Sequence, residues 1–205
     1  MGGELNVNSS LGRGSTFAFD VALLIDRRQR IDKFRPGAVD LSTLPILVVD
    51  DFAVNCEILR GQLTQLGADP EFATNAREAV QKIIKANKAG NPFAMMITDY
   101  QMPNVDGLQL VQSIRRQSAC DDLQIIVLSS IDGGEVRRKF EKAGAETYLT
   151  KPARYNELED AIYTAAARFK MKSLTRIAQQ ESLENNREMD VVDAVSADQS
   201  IVRAS

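Results

Sequence analysis

Apolar positions along this chain keep two rhythms. Between residues 45 and 170, short runs of Ile, Leu, Val and Met alternate with stretches where apolar residues recur every three or four positions. Residues 46–49 (Ile-Leu-Val-Val) form an unbroken apolar run, the pattern of a strand buried on both faces. Ile58, Leu59, Leu63 and Leu66 follow at helical spacing and stop at Gly67, a residue suited to a helix C-terminus. Runs at 94–98, 125–128 and 147–149 predict three more strands, and a weaker run at 71–74 predicts an edge strand. Helical spacing returns in Ala79, Val80, Ile83 and Ile84, ending near Gly90, and in Leu108, Leu110, Val111 and Ile114. It returns again around 136–143 before Gly144, and over 157–169 in Leu158, Ala161, Ile162 and Ala165. Five strands alternating with five helices predict an α/β domain with a parallel sheet, because parallel neighbours need helical, right-handed crossovers.

The flanks lack this alternation. Residues 1–25 hold two extended runs, 4–8 and 16–24, joined by Ser-Ser-Leu-Gly-Arg-Gly-Ser. A two-stranded ribbon is marginal in water by itself, so this piece reads as the edge of a larger structure or as a tail. Residues 26–43 read as a linker: Arg27, Arg28, Arg30, Lys33 and Arg35 precede Pro36-Gly37, and such charge runs are commonly solvated. The alternating domain occupies 44–170. Beyond it, 174–187 can continue as a helix, and the polar, acidic 189–205 reads as linker or tail. Gly133-Gly134 lies where the fourth helix opens; glycine inside a helix costs ~1 kcal/mol relative to alanine, so a mobile loop is expected there.

Composition narrows the chemistry. The 205 residues carry 25 Lys+Arg against 28 Asp+Glu, a net charge of −3, so no basic excess marks a nucleic-acid partner. With no His, the chain excludes a Ser/His/Asp triad, a Cys/His dyad, His-ligated zinc and a phosphohistidine of its own. Cys56 and Cys120 read as free thiols of a reducing compartment. No apolar run approaches the ~18 residues of a membrane span, and the start lacks a signal-peptide core. A soluble, cytoplasmic chain without direct membrane contact is the expectation, with a parent protein free to be anchored elsewhere.

Candidate chemistry lies at strand ends. Asp50 and Asp51 follow the first strand of the alternating domain and Asp99 follows the third. A doubly wound sheet in the order 2-1-3-4-5 makes those strands neighbours, with ligands bound at their carboxyl ends. Two unit charges ~5 Å apart at an effective dielectric of ~20 repel by roughly 3 kcal/mol, which a raised pKa or a divalent cation relieves. An oxygen-rich site with few fixed ligands suits Mg²⁺. Taken alone, Asp51 as a helix cap and Asp99 in a turn would be the plainer reading. Ser129 and Lys151, each directly after another strand, make four functional groups at four strand ends. Asp99 can then attack phosphorus as a carboxylate, giving an acyl phosphate without a general base. Mg²⁺ on Asp51 and Asp99, the Lys151 ammonium and the Ser129 hydroxyl would each take one phosphoryl oxygen. Lys151-Pro152 is a candidate cis peptide.

ILVVDD (46–51), MMITDYQMPNVDG (95–107), IIVLSSID (125–132) and YLTKP (148–152) resemble, in order and spacing, the receiver domain of two-component response regulators. The resemblance spans about 44–169 and implies a flavodoxin-like α/β fold. It implies Asp99 as phosphoacceptor and Asp50 and Asp51 as the acidic pair, with Asp51 a direct Mg²⁺ ligand and Asp50 acting mainly through water. It further implies the backbone carbonyl of Gln101 as a metal ligand, Ser129 as switch hydroxyl, Lys151 as active-site lysine and Tyr148 as rotating aromatic. Against the family pattern, 85–92 looks long, extending the second helix or its loop.

MGGELNVNSSLGRGSTFAFDVAL (1–23) resembles the end of a histidine kinase ATP-binding domain, with Gly12-Arg13-Gly14 as its last glycine box. Its Asn-bearing helix and other glycine-rich loop are missing, so nucleotide binding is not expected. Kinase end followed by receiver is the layout of a hybrid sensor histidine kinase. The implied partner is a phosphohistidine donor, in a kinase core or a transfer domain. Arg137, Arg138, Lys139 and Lys142, with Glu157, Glu159 and Asp160, offer charges for a partner or for pairing of two receivers. Three rivals stay open: a pseudo-receiver that docks without being phosphorylated, a stand-alone regulator with a DNA-binding effector, and an aspartyl phosphatase of the haloacid dehalogenase type. The phosphatase wants a second acid where Gln101 stands, and the last 35 residues are short and acidic for a DNA-binding effector.

Overall fold

A computed structural model describes residues 3–22, 39–176 and 178. The chain divides into two units, 1–38 and 39–205.

In the first unit, strands β1 (Leu5–Ser10) and β2 (Gly14–Phe19) pair antiparallel, from Leu5 opposite Phe19 to Ser10 opposite Gly14. Gly12 and Gly14 take left-handed backbone at the turn, which Arg13 closes by donating its N–H to the Ser10 carbonyl. Leu5, Val7, Phe17 and Phe19 share one face and are all more than half exposed.

The second unit holds strands β3 (Ile46–Val49), β4 (Pro70–Ala73), β5 (Met95–Asp99), β6 (Gln124–Ser129) and β7 (Thr147–Thr150) in one parallel sheet. Their order, β4-β3-β5-β6-β7, is the predicted 2-1-3-4-5. Helices α1 (Ala53–Gln65), α2 (Ala76–Lys88), α3 (Gly107–Arg115), α4 (Gly134–Ala143) and α5 (155–176) alternate with the strands. The sheet is coated on both faces. Leu47, Val49, Met96, Ile125 and Val127 point to α2, α3 and α4, meeting Ile83, Leu110, Ile114 and Phe140. Ile46, Val48, Met95, Ile97, Ile126 and Leu128 point to α1 and α5, meeting Leu59, Leu63, Leu158 and Ile162. Strands buried on both faces cannot show alternation, which is why their sequences are continuously apolar.

Boundaries differ in instructive ways. β4 opens at Pro70, which an edge strand tolerates at its first position because no ladder donor is lost. Asp99 and Ser129 are the last residues of β5 and β6 rather than the first beyond them. Residues 39–43, taken above as the end of the linker, belong to the second unit: Asp40 caps a 3₁₀ turn at Leu41–Thr43, and Leu41 and Leu44 are buried against α5 and the sheet. Gly133 and Gly134 are not in the interior of α4; Gly133 precedes it with extended backbone and Gly134 is its first residue, in the first turn, whose N–H groups have no intrahelical acceptor. The long 85–92 segment extends α2 to Lys88, and Gly90 turns it in left-handed backbone. α5 continues past the core to Arg176, whose guanidinium pairs with Asp122 at 2.7 Å, while Lys172 donates to the Asp121 carbonyl. The expected linker over 26–38 and the tail over 189–205 lie outside the described residues. Among the described residues, no helix is long and apolar enough to cross a membrane.

Candidate phosphoacceptor and metal site

Register places the functional groups. Val49 stands beside Thr98, so the chain leaves β3 at Asp50 next to Asp99, and Asp99 stands beside Leu128, one residue before Ser129. Ser129 stands beside Thr150, which brings Lys151 to the same edge. Carboxylate oxygens of Asp50, Asp51 and Asp99 lie within 4.8 Å of one another. Lys151 Nζ reaches Asp50 Oδ2 at 3.0 Å and Asp99 Oδ2 at 3.1 Å. The Lys151-Pro152 bond is cis.

The three acids occupy different environments. Asp50 is buried and saturated: Oδ1 accepts from the Phe52 N–H at 2.9 Å, Asn55 Nδ2 donates to both oxygens at 3.0 Å, and Lys151 takes Oδ2. Asp99 is 7% exposed, and burial pushes its carboxyl above the ordinary aspartate range. The Lys151 ammonium and the Gln101 N–H work against that rise, and the Asp50 charge adds to it. Asp51 Oδ1 is buried with no hydrogen-bond partner among the described residues. Asp51 does not cap α1, because the cap position is Phe52 and makes no side-chain bond. A buried carboxylate oxygen without a donor, facing two more carboxylates, fits a hard divalent cation with oxygen ligands.

Beyond the acids, Ser129 Oγ accepts from the Ile131 N–H at 3.0 Å, and Tyr148, buried, donates its hydroxyl to the Ile131 carbonyl. Phe140 lies between Tyr148 and Tyr100. Arg137 donates to the Tyr148 carbonyl at 3.4 Å and stands 5.6 Å from its ring. Cys56 donates weakly to the Asp50 carbonyl, and burial raises its thiol pKa, so it stays protonated. A groove next to the acids is lined by Ile58, Leu59, Pro152 and Leu158. Ile58 is itself more than half exposed, as are Phe52 and Val54 at the start of α1. Asn55 was not singled out by the sequence, and its signal is weak: one polar residue in the first turn of α1, five after Asp50. Gly107 was not singled out either. Its N–H donates to the Tyr100 carbonyl, and a Cβ there would lie 2.3 Å from the Asp99 carbonyl oxygen.

Residues 46–163 match the family model of the response regulator receiver domain. Sensor histidine kinase AruS of Pseudomonas aeruginosa is 29% identical over 194 residues, 92% of this chain and 18% of that protein. Sensor protein EvgS of Escherichia coli K12 is 31% identical over 156 residues, 74% of this chain and 12% of its own length. The chain thus spans less than a fifth of each of these relatives. Among solved structures, a response regulator receiver protein from Pseudomonas putida aligns with a TM-score of 0.52 and 32% identity, covering 58% of this chain and 94% of that one. Chemotaxis protein CheY4 of Vibrio cholerae aligns at 0.53 with 28% identity, covering 60% and 98%.

Proposed function

The chain belongs to the response regulator receiver domain family of two-component signal transduction, and from that premise we propose that it accepts a phosphoryl group from a phosphohistidine onto Asp99. The observation that carries this reading is the meeting of three carboxylates, one lysine and one hydroxyl at four adjacent strand ends. An ionised Asp99 Oδ attacks phosphorus in line. As the new O–P bond forms, the donor's N–P bond breaks and its electron pair stays on the imidazole nitrogen. Lys151, already 3.1 Å from Asp99, holds charge on an incoming phosphoryl oxygen. Ser129 Oγ can donate to another once it turns from the Ile131 N–H. Asp51, with its unpartnered oxygen, Asp99 and the Gln101 backbone carbonyl would hold Mg²⁺. Asp50, whose oxygens are bonded to Phe52, Asn55 and Lys151, would orient the lysine and reach the metal through water. When bound there, Mg²⁺ supplies positive charge for the phosphoryl oxygens and relieves carboxylate repulsion.

The exposed apolar side chains of Phe52, Val54 and Ile58 at the start of α1, of which Ile58 lines the groove with Asp50 and Lys151, support docking of a donor that presents its imidazole over Asp99. The reach of the AruS match beyond the receiver, and the glycine box of the first 25 residues, support a parent that is a hybrid sensor histidine kinase. Incubation with acetyl phosphate and Mg²⁺ should add one phosphoryl mass to the chain, and Asp99→Asn should abolish it with the fold preserved. Label on the Asn variant, or sustained hydrolysis of a generic phosphate ester, would overturn this function.

A further inference from the structure

Phe140 is the one aromatic residue of α4 and is fully buried. Its ring meets Tyr100 edge-on, with centroids 5.1 Å apart and planes at 89°. On its other side lies Tyr148, at 5.6 Å and 44°. Tyr100 directly follows Asp99, and both its backbone groups are fixed: its N–H donates to the Leu128 carbonyl at 2.9 Å and its carbonyl accepts from Gly107 at 2.8 Å. Tyr148 is tied through its hydroxyl to the Ile131 carbonyl, and the Ile131 N–H bonds Ser129 Oγ. The contacts close a ring beside the pocket: Tyr100, Phe140, Tyr148, Ile131, Ser129 and Leu128, whose carbonyl accepts from the Tyr100 N–H. One arm runs through hydrogen bonds and the other through ring packing.

We propose that Phe140 is a positioning residue that holds Tyr148 inward and couples its orientation, through Tyr100, to the backbone beside the phosphoacceptor. This rests on the phosphoacceptor function argued above. Turning Tyr148 outward breaks its bond to Ile131 and strips one face of Phe140, so the inward state is favoured from two sides. When Ser129 Oγ leaves the Ile131 N–H for a phosphoryl oxygen, the Ile131 backbone loses one restraint, while Phe140 keeps its hold on Tyr148. Any shift of the Tyr100 backbone on phosphorylation reaches α4 directly, because Phe140 is an α4 residue. A bistable ring needs differential contacts in its two states, and this stack supplies them on the inward side.

The test uses the full chain labelled with 3-fluorotyrosine and read by fluorine NMR, with the four tyrosines assigned by single Tyr→Phe variants. Phe140→Leu keeps an apolar side chain but removes the ring. It should raise the outward population of Tyr148 about fivefold, the loss of one aromatic pair. It should also shrink the response of the Tyr148 resonance to beryllofluoride with Mg²⁺. Tyr100→Leu should weaken that response, and Tyr100→Phe, which keeps the ring, should leave it intact. A Tyr148 resonance unchanged in Phe140→Leu, with wild-type response, would make Phe140 core packing only and overturn the proposal. Should Phe140→Leu fail to fold, equal responses in the two Tyr100 variants overturn it. A wild-type chain that ignores beryllofluoride overturns the phosphoacceptor function instead, a failure read before any variant is made.

Discussion

One lysine serves two carboxylates at the edge of the sheet, and the two are not equivalent. Asp50 has donors from Phe52, Asn55 and Lys151, whereas Asp99 shares Lys151 and is pushed up mainly by burial. A carboxyl whose folded pKa exceeds its ordinary 3.8 binds more protons folded than unfolded just above that value, so its contribution to stability falls as pH rises through this window. Asp99→Asn should therefore be more stable than wild type at neutral pH without Mg²⁺, with the gap closing as pH drops below the ordinary aspartate value. Thermal melts across that range check it; a variant equal to or below wild type at neutral pH would contradict the burial cost assigned to Asp99. The acids, Ser129 and Lys151 were legible in sequence because charged or hydroxyl types directly after apolar runs are out of place in a core. Asn55 and Phe140 were not, since each looks ordinary on its helix and takes its meaning from a partner on another element.

Elements meet the site through backbone as much as through side chains. α3 begins at Gly107, close against the end of β5, where an added Cβ would fall 2.3 Å from the Asp99 carbonyl oxygen and 3.0 Å from the Tyr100 Cα. Both are main-chain atoms and cannot step aside. Gly107→Ala should cost about 1–3 kcal/mol and slow phosphorylation by displacing Asp99. Gly61, inside α1 with nothing near its Cβ position, is the contrast: Gly61→Ala should stabilise by about 0.5–1 kcal/mol. Urea titration of both variants, with acetyl phosphate labelling of the first, decides. Helix and strand identities were legible because the helices keep a three-to-four-residue period while the buried strands are short unbroken apolar runs. Their ends were less so, because capping needs local geometry: Asp106 and Gln109 close α3 reciprocally, while α4 starts on glycines without a side-chain cap.

At the scale of the molecule, a cation held by the three acids would be linked to folding. A ligand held by the folded state alone stabilises it by about 2.7 kcal/mol at 100 times its Kd. Mg²⁺ should raise the melting temperature of the wild-type chain, and Asp51→Asn should lose most of that gain; an equal gain in both would remove Asp51 from the ligand set. By itself the sequence determined the alternation of strands and helices, hence a parallel sheet coated on both faces, because only buried strands stay apolar along their whole length and only helical crossovers join them. It determined too which residue types stand at the carboxyl ends of those strands. Tertiary structure alone decided that Asp50 would be saturated while Asp51 kept a bare oxygen, that Leu41 would fold back into the core, and that Phe140 would stand between two tyrosines. Those outcomes depend on distances between elements far apart in the chain, and packing sets such distances where no local pattern records them.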